Sequence, residues 1–244
     1  MTQVVMYELT CVGCGPGDPD LLTIKAVDAI KKADIIICPT SKTGKTSMAL
    51  SIISKFLLKR KPKIVNLVFP MVTNKRVLDE SWDKNSKILI DYVLSGKNTI
   101  YITIGDPHLY STWIYMHKKL EQNYPQIKIK VIPGITSIFT FAAKAKIGIG
   151  EAGDKIAIIP SCYDLSTIQD IAKNCDTLAF LKDGRHFGKI IKILSQAGFS
   201  EDSKFIIGQD LDTEKEIIRK TTLGKITKDT LTTKYFSIMV VKRA

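Results

Sequence analysis

Five short β-rich runs, each followed by a stretch long enough for a helix, constrain this chain more than any other feature. The runs are Val4–Val12, Ile35–Cys38, Ile64–Phe69, Thr99–Ile104 and Ile127–Ile132. Between them, Asp18–Lys32, Thr46–Leu58, Asp79–Ser95 and Ser111–Gln122 read as helices. In the first of these, Leu22, Ala26, Ala29/Ile30 and Ala33 recur every three or four residues, the stripe of one helix face. Strands joined through helices need crossover connections, so the pattern predicts a largely parallel sheet covered on both faces.

After Pro133-Gly134 the pattern restarts. Thr136–Lys146, Leu165–Lys173 and Phe187–Ala197 read as helices, and Ile156–Pro160, Thr177–Leu181 and Phe205–Gln209 as strands. Gly198 sits just past the third of these helices, where left-handed backbone closes a helix. Glu216–Thr222 and Tyr235–Lys242 are strand-like with no helix between them, which predicts a closing antiparallel hairpin. The expectation is two α/β domains, residues 1–134 with a mainly parallel sheet and residues 135–244 ending in antiparallel strands.

Composition narrows the class of partner. A 244-residue chain that is 45% hydrophobic and 25% charged has the make-up of a globular protein, not a disordered or fibrous one. Its 36 Lys+Arg against 24 Asp+Glu leave +12, divided +8 and +4 between residues 1–134 and 135–244. Such a balance calls for an anionic partner: nucleic acid, a membrane surface or a polyanionic small molecule. No run approaches the ~18 consecutive apolar residues of a transmembrane helix, and Met1–Leu9 does not read as a signal peptide. Cys11, Cys14, Cys38, Cys162 and Cys175 are odd in number and mostly lie in apolar segments. Buried thiols in a reducing cytoplasm are expected.

Several loops could hold a ligand. Gly13-Cys14-Gly15-Pro16-Gly17-Asp18 joins a strand to a helix, where glycines let a ligand approach the backbone. A dinucleotide-binding loop would want an acidic residue at the end of the second strand and a wider glycine spacing; here that strand ends in Pro39. Ser41-Lys42-Thr43-Gly44-Lys45-Thr46 ends like a P-loop but has Pro39 where the first glycine is needed. Its two lysines could still hold substrate carboxylates. Cys11-Val12-Gly13-Cys14 is a lone CxxC, read as buried thiols, and the three histidines are scattered. Gly105-Asp106-Pro107-His108-Leu109-Tyr110 and Pro133-Gly134-Ile135-Thr136-Ser137 are two further strand-to-helix turns. For both, a plain helix cap is the competing reading. No nucleophile triad and no metal-ligand cluster is visible.

Taken in order, Gly13–Asp18 with Leu21-Leu22-Thr23, then Gly105-Asp106-Pro107 with Tyr110, then Pro133–Ser137, resemble the three signatures of the tetrapyrrole (corrin/porphyrin) methyltransferases. The resemblance spans essentially the whole chain. Pro39–Ser47, Val68-Phe69-Pro70-Met71 with Trp82, and Gly105–Thr112 look most like the branch that methylates C-20 of precorrin-2 or cobalt-factor II. Typical members differ at Cys14 and usually carry serine where His108 stands.

The resemblance implies a non-Rossmann fold of two α/β domains with the active site in the cleft between them. It also implies S-adenosylmethionine as methyl donor, a cytoplasmic homodimer and a small polycarboxylate tetrapyrrole substrate. Carried over by motif, Pro16, Gly105, Asp106, Tyr110, Thr136 and Ser137 would line the cofactor site, with Leu181, Lys182 and Gln209 adding later contacts. No catalytic residue and no metal ligand is assigned. Lys42, Lys45, Arg76 and Arg185, with His108, are the candidates for holding the substrate. Another tetrapyrrole C-methyltransferase, or a ribosomal RNA ribose methyltransferase of the same fold, are the alternatives. Against the RNA reading, no arginine-rich or aromatic-interleaved platform is visible.

Overall fold

A computed structural model describes residues 7–57, 61–160, 165–181, 187–227 and 237–244, which divide into two compact units, the first ending at Thr136 and the second beginning at Ser137. In the first unit the strands are β1 (Glu8–Gly13), β2 (Ile35–Thr40), β3 (Lys63–Val68), β4 (Thr99–Thr103) and β5 (Lys128–Ile132). They alternate with helices α1 (Ile24–Lys32), α2 (Met48–Ile53), α3 (Lys75–Leu94) and α4 (Trp113–Asn123). All pairings are parallel, in the order β3-β2-β4-β1-β5.

That order explains where the helices go. From β1 the chain moves outward to β2 and β3, then returns through β4 to β5 at the opposite edge. Parallel crossovers are right-handed, so reversing direction moves the helices to the other face. The two cores follow suit. Ile36 and Cys38 of β2 pack with Ala26 and Ile30 of α1 and Ile52 and Ile53 of α2. Ile35 and Ile37, one residue out of phase, pack with Leu89 of α3 and Trp113 and Met116 of α4. The parallel, doubly covered sheet read from the alternation is therefore present.

Local chemistry sets the helix starts. Thr23 accepts from the Ala26 N–H at 3.1 Å and opens α1, and Asn74 accepts from the Arg76 and Val77 N–H groups to open α3. The predicted helix from Asp18 is in fact broken: Asp18 caps a short 3-10 turn at Pro19–Leu21, and α1 begins only after Thr23. Likewise α2 ends at Ile53 and passes into a 3-10 turn.

The second unit holds α5 (Ser137–Ala145), β6 (Ile156–Pro160), α6 (Ile168–Asn174), β7 (Thr177–Leu181), α7 (Phe187–Gln196), β8 (Lys204–Gln209), β9 (Ile217–Thr222) and β10 (Ser237–Lys242). Gly198 adopts φ +86° after α7, as its place predicts. The sheet order is β6-β7-β10-β8-β9, with β6 and β7 parallel and β10 antiparallel to both β7 and β8. The predicted terminal hairpin is not formed. β9 pairs with β8, and β10 inserts between β7 and β8. Burial decides this: Ile238 to Val241 are buried on both faces, which suits a central strand, whereas Arg219 and Lys220 keep β9 at an edge. Phe180, Phe205 and Met239 meet Ile168 of α6 and Ile190 and Leu194 of α7 on one face.

Three thiols lie inside the first unit. Burial pushes Cys14 and Cys38 up to about 12, and burial, with Cys14 and Asp106 adding, pushes Cys11 well above the ordinary thiol range. They are free thiols that burial holds in the protonated form. Because the folded thiols keep protons that the unfolded chain loses above about pH 9, stability is full below that pH and falls as pH rises toward 12. Denaturant titrations from pH 8 to 11 should show this loss. Cys38→Ser should make the decline shallower by about 1.4 kcal/mol per pH unit.

Candidate active site at the carboxyl edge of the parallel sheet

Because β1 lies between β4 and β5, the turns that follow these three strands meet at one end of the sheet. The Cys14 N–H donates to the Thr103 carbonyl at 2.8 Å, prolonging the β1–β4 ladder past its last paired residues. Gly15, at φ +72°, and Gly105, at φ +66°, form an isolated bridge in which the Gly105 N–H donates to the Gly15 carbonyl at 2.8 Å. Gly134 completes the contact: a Cβ there would stand 2.2 Å from the Gly105 oxygen, and one on Gly13 would stand 2.6 Å from the Gly134 nitrogen. Three backbones touch where no side chain fits.

Asp106 ties the same turns together. Its Oδ1 accepts from the His108 N–H at 2.8 Å and its Oδ2 from the Gly134 N–H at 3.1 Å. The simple helix-cap reading of Asp106 is thus replaced: α4 starts later, where buried Ser111 accepts from the Trp113 N–H at 3.2 Å and shares a 3.0 Å bond with Thr103. Tyr110 turns the chain between them at φ +50°, a conformation uncommon for a residue with a Cβ. By contrast, a Cβ on Gly105 would meet nothing within 4 Å. Here a ligand can lie directly against the backbone.

The other candidates fall into a row along this edge, in sheet order. Arg76 follows β3, Lys42 and Lys45 follow β2, Asp106, His108 and Tyr110 follow β4, Pro16 follows β1, and Thr136 follows β5. At about 4.8 Å per strand the row is roughly 20 Å long. Lys42 and Lys45 are exposed, and the Ser41–Thr46 loop is an ordinary turn closed by the Lys45 N–H on the Lys42 carbonyl. Arg76 is exposed but pairs with Glu80 at 3.0 Å. The His108 side chain is exposed; its ring approaches His117, which in turn stacks on buried Trp113. Trp82 stacks on Tyr115 at 4.3 Å and joins α3 to α4.

In the second unit, Ser137 opens α5, and Leu181 and Gln209 end β7 and β8. Leu181 pairs with Ile238 and Gln209 with Ser237, so both stand at one end of that sheet, on either side of β10. Lys182 and Arg185 lie outside the described residues.

One component of the site was missed from sequence. Among the described residues of the first unit, every large apolar side chain that is exposed, except Leu94, lies at this edge of the sheet. Met48, Met71, Val72, Val77, Ile104 and Ile135 are examples. The signal was available: apolar residues in the first turn of a helix, or just before it, that fall off the buried stripe, as Ile24 falls off the stripe of α1. The edge therefore combines apolar surface, cations and an open glycine backbone.

The family model of the tetrapyrrole (corrin/porphyrin) methylases matches residues 8–227. The chain belongs to this family. A probable cobalt-precorrin-2 C(20)-methyltransferase of Methanocaldococcus jannaschii is 35% identical over 209 residues, covering 81% of this chain and 86% of the relative. A cobalt-precorrin-2 C(20)-methyltransferase of Salmonella typhimurium is 30% identical over 194 residues, covering 80% of each. Among solved structures, a cobalt precorrin-4 methyltransferase aligns with a TM-score of 0.72 at 22% identity, over 96% of this chain and 94% of its own. A Thermus thermophilus uroporphyrin-III C-methyltransferase complexed with S-adenosylhomocysteine aligns with a TM-score of 0.65 at 16% identity, over 96% and 97%. These two speak for the fold. Members of this family are tetrapyrrole methyltransferases, and the strand order β3-β2-β4-β1-β5 departs from the Rossmann order by exchanging β1 and β4.

The glycine contact gives a graded test. Gly134→Ala should cost roughly 3 kcal/mol or more in urea unfolding, because its Cβ meets backbone that cannot move aside. Gly105→Ala should cost only about 1–2 kcal/mol, from its left-handed φ alone. Equal losses for the two would refute the close-approach account.

Proposed function

We propose that the protein is an S-adenosylmethionine-dependent methyltransferase that methylates C-20 of precorrin-2 or cobalt-factor II in corrin-ring biosynthesis. The observation that supports it most is the edge itself, where the open face of Gly105 adjoins exposed Ile104 and Tyr110 and a row of cations. A flat apolar macrocycle fringed with carboxylates needs both kinds of surface. The two C(20)-methyltransferase relatives, at 35% and 30% identity, support the choice of carbon. The same reading includes a homodimer and a cytoplasmic location, the second in keeping with free, buried thiols.

The residues present fit the cofactor. Gly105 offers backbone with no side chain in the way, Pro16 flanks it without an N–H of its own, and exposed Ile104 and Ile135 suit an uncharged ring. When bound, the cofactor supplies a methyl group already activated by its sulfonium. The protein's part is then proximity, in-line orientation and exclusion of water. Asp106 orients rather than abstracts a proton, since both its oxygens already accept backbone N–H groups. Lys42 and Lys45 have no carboxylate partner among the described residues, so they are available to the substrate's carboxylates, whereas Arg76 must first release Glu80.

Incubation with S-adenosylmethionine and metal-free or cobalt-loaded precorrin-2, followed by mass spectrometry, should show the gain of one methyl, with the label at C-20 by NMR. Methylation of ribosomal RNA instead would sink the proposal. The double variant Lys42→Glu/Lys45→Glu should raise the tetrapyrrole KM about tenfold at low salt and leave the cofactor KM unchanged. An unchanged tetrapyrrole KM would remove these lysines from the substrate site.

A further inference from the structure

The loop after β8 holds a side-chain device that the reading above leaves unused. Gln209 ends β8, and beyond it Asp210 and Asp212 take left-handed φ values of +49° and +61°. Aspartate tolerates such angles better than most residues with a Cβ, yet two of them in three positions make a loop whose shape its contacts must hold. Lys144, in the last turn of α5, supplies the constraint. Its Nζ lies 2.8 Å from Asp212 Oδ1 and 2.6 Å from Glu216 Oε2, and the same Glu216 oxygen accepts the Asp212 N–H at 2.8 Å. The loop Asp212–Glu216 is thus closed on itself and pinned to α5 by one ammonium group.

Burial makes this pin hard to replace. The Asp212 side chain is only 3% exposed, and its Oδ2 makes no hydrogen bond, so Lys144 is its sole cationic partner among the described residues. Removing that partner would leave a buried, uncompensated carboxylate. Burial alone would raise the Glu216 carboxyl, yet the Lys144 ammonium and the Asp212 N–H hold it below its ordinary value. A second contact sets α5 against the same strand: a Cβ on Gly208 would fall 2.6 Å from the Phe141 ring, so the helix rests directly on the residue before Gln209. Helix α5 begins at Ser137. One helix therefore bears Ser137 at its start and, through Phe141 and Lys144, fixes the strand end and loop around Gln209.

We propose that Lys144, through Asp212 and Glu216, is a positioning residue that sets Gln209 and the loop behind it for cofactor binding without itself touching the cofactor. The proposal rests on the S-adenosylmethionine reading of Ser137 and Gln209. In Lys144→Met, calorimetry should show S-adenosylhomocysteine binding weakened about tenfold and steady-state kinetics a matching rise in the cofactor KM. The tetrapyrrole KM should be unchanged and kcat within about twofold. Lys144→Arg, which keeps the charge, should restore affinity to within about threefold. Asp212→Asn tolerates the left-handed backbone and should show the same loss with an unchanged circular-dichroism spectrum. Amide exchange over residues 210–216 should quicken about tenfold in Lys144→Met whether or not ligand is present. Wild-type affinity in Lys144→Met, or lower kcat and melting temperature with unchanged affinity and exchange, would overturn the proposal. Failure of the wild-type protein to bind S-adenosylhomocysteine would instead overturn the cofactor reading, and the exchange rates would still decide whether Lys144 pins the loop.

Discussion

The first unit depends on a contact between backbones. Gly13, Gly105 and Gly134 approach so closely that a methyl group on Gly134 would stand 2.2 Å from the Gly105 carbonyl oxygen. The contact exists because β1 is flanked by β4 and β5, so their three exits emerge side by side. It also depends on the reversal of chain direction at β3, which brings β4 back beside β1 after two strands have been laid outward. Hydrogen bonds then fasten what sterics permit: the Gly15–Gly105 bridge on one side and the two bonds of Asp106 on the other. A ligand at this edge would face main chain, whose position is set by the sheet, rather than side chains free to change rotamer.

The charge of the chain gains meaning from what lies beside its unmatched cations. Lys119 lies between Asp79 and Asp83, Lys130 pairs with Glu8, and Lys242 lies between Glu151 and Asp154. Lys55 is likewise matched by Asp20. Lys42 and Lys45 have no such partner among the described residues, nor do Lys32, Lys87 and Lys192, but Lys42 and Lys45 occupy a loop on the edge where the exposed apolar side chains of the first unit collect. A net +12 spread evenly would favour any polyanion. Unmatched cations beside apolar surface favour an anion that also has apolar faces, which a ribose-phosphate backbone lacks and a polycarboxylate macrocycle has.

Much of this was legible in the sequence, because period and turn chemistry are local. The stripe of α1, the glycine turns and Gly198 were all read correctly as to kind. What was misread depended on partners distant in the chain. Proximity in sequence suggests a hairpin of β9 and β10, although the unbroken run Ile238-Met239-Val240-Val241 marks a strand buried on both faces. The apolar spacing that begins at Leu22 draws the predicted helix back to Asp18, one turn too early. Asp18 does cap, but the segment it caps is a 3-10 turn, and Thr23 makes the bond that opens the α-helix. The exposed apolar edge escapes the sequence for a different reason: nothing in the residue types of Met71 or Val77 marks them as exposed until it is known which side chains the sheet and helices cover.

The two units hold the turns proposed to meet ligand by different physics. In the first, the close approach is permitted by absent side chains and fastened by backbone bonds and the two bonds of Asp106. In the second, the loop after β8 is held by the ion triad of Lys144, Asp212 and Glu216, and it keeps two aspartates in left-handed conformations. A backbone contact cannot loosen without the sheet itself opening. A triad on a single lysine can release its loop while β8 and β10 stay paired, because the strand ladder ends at Gln209 before the left-handed residues begin. Local opening is cheapest where few ladder bonds and few apolar contacts must break. The loop beyond Gln209 therefore depends for its shape on Lys144 rather than on the strand ladder.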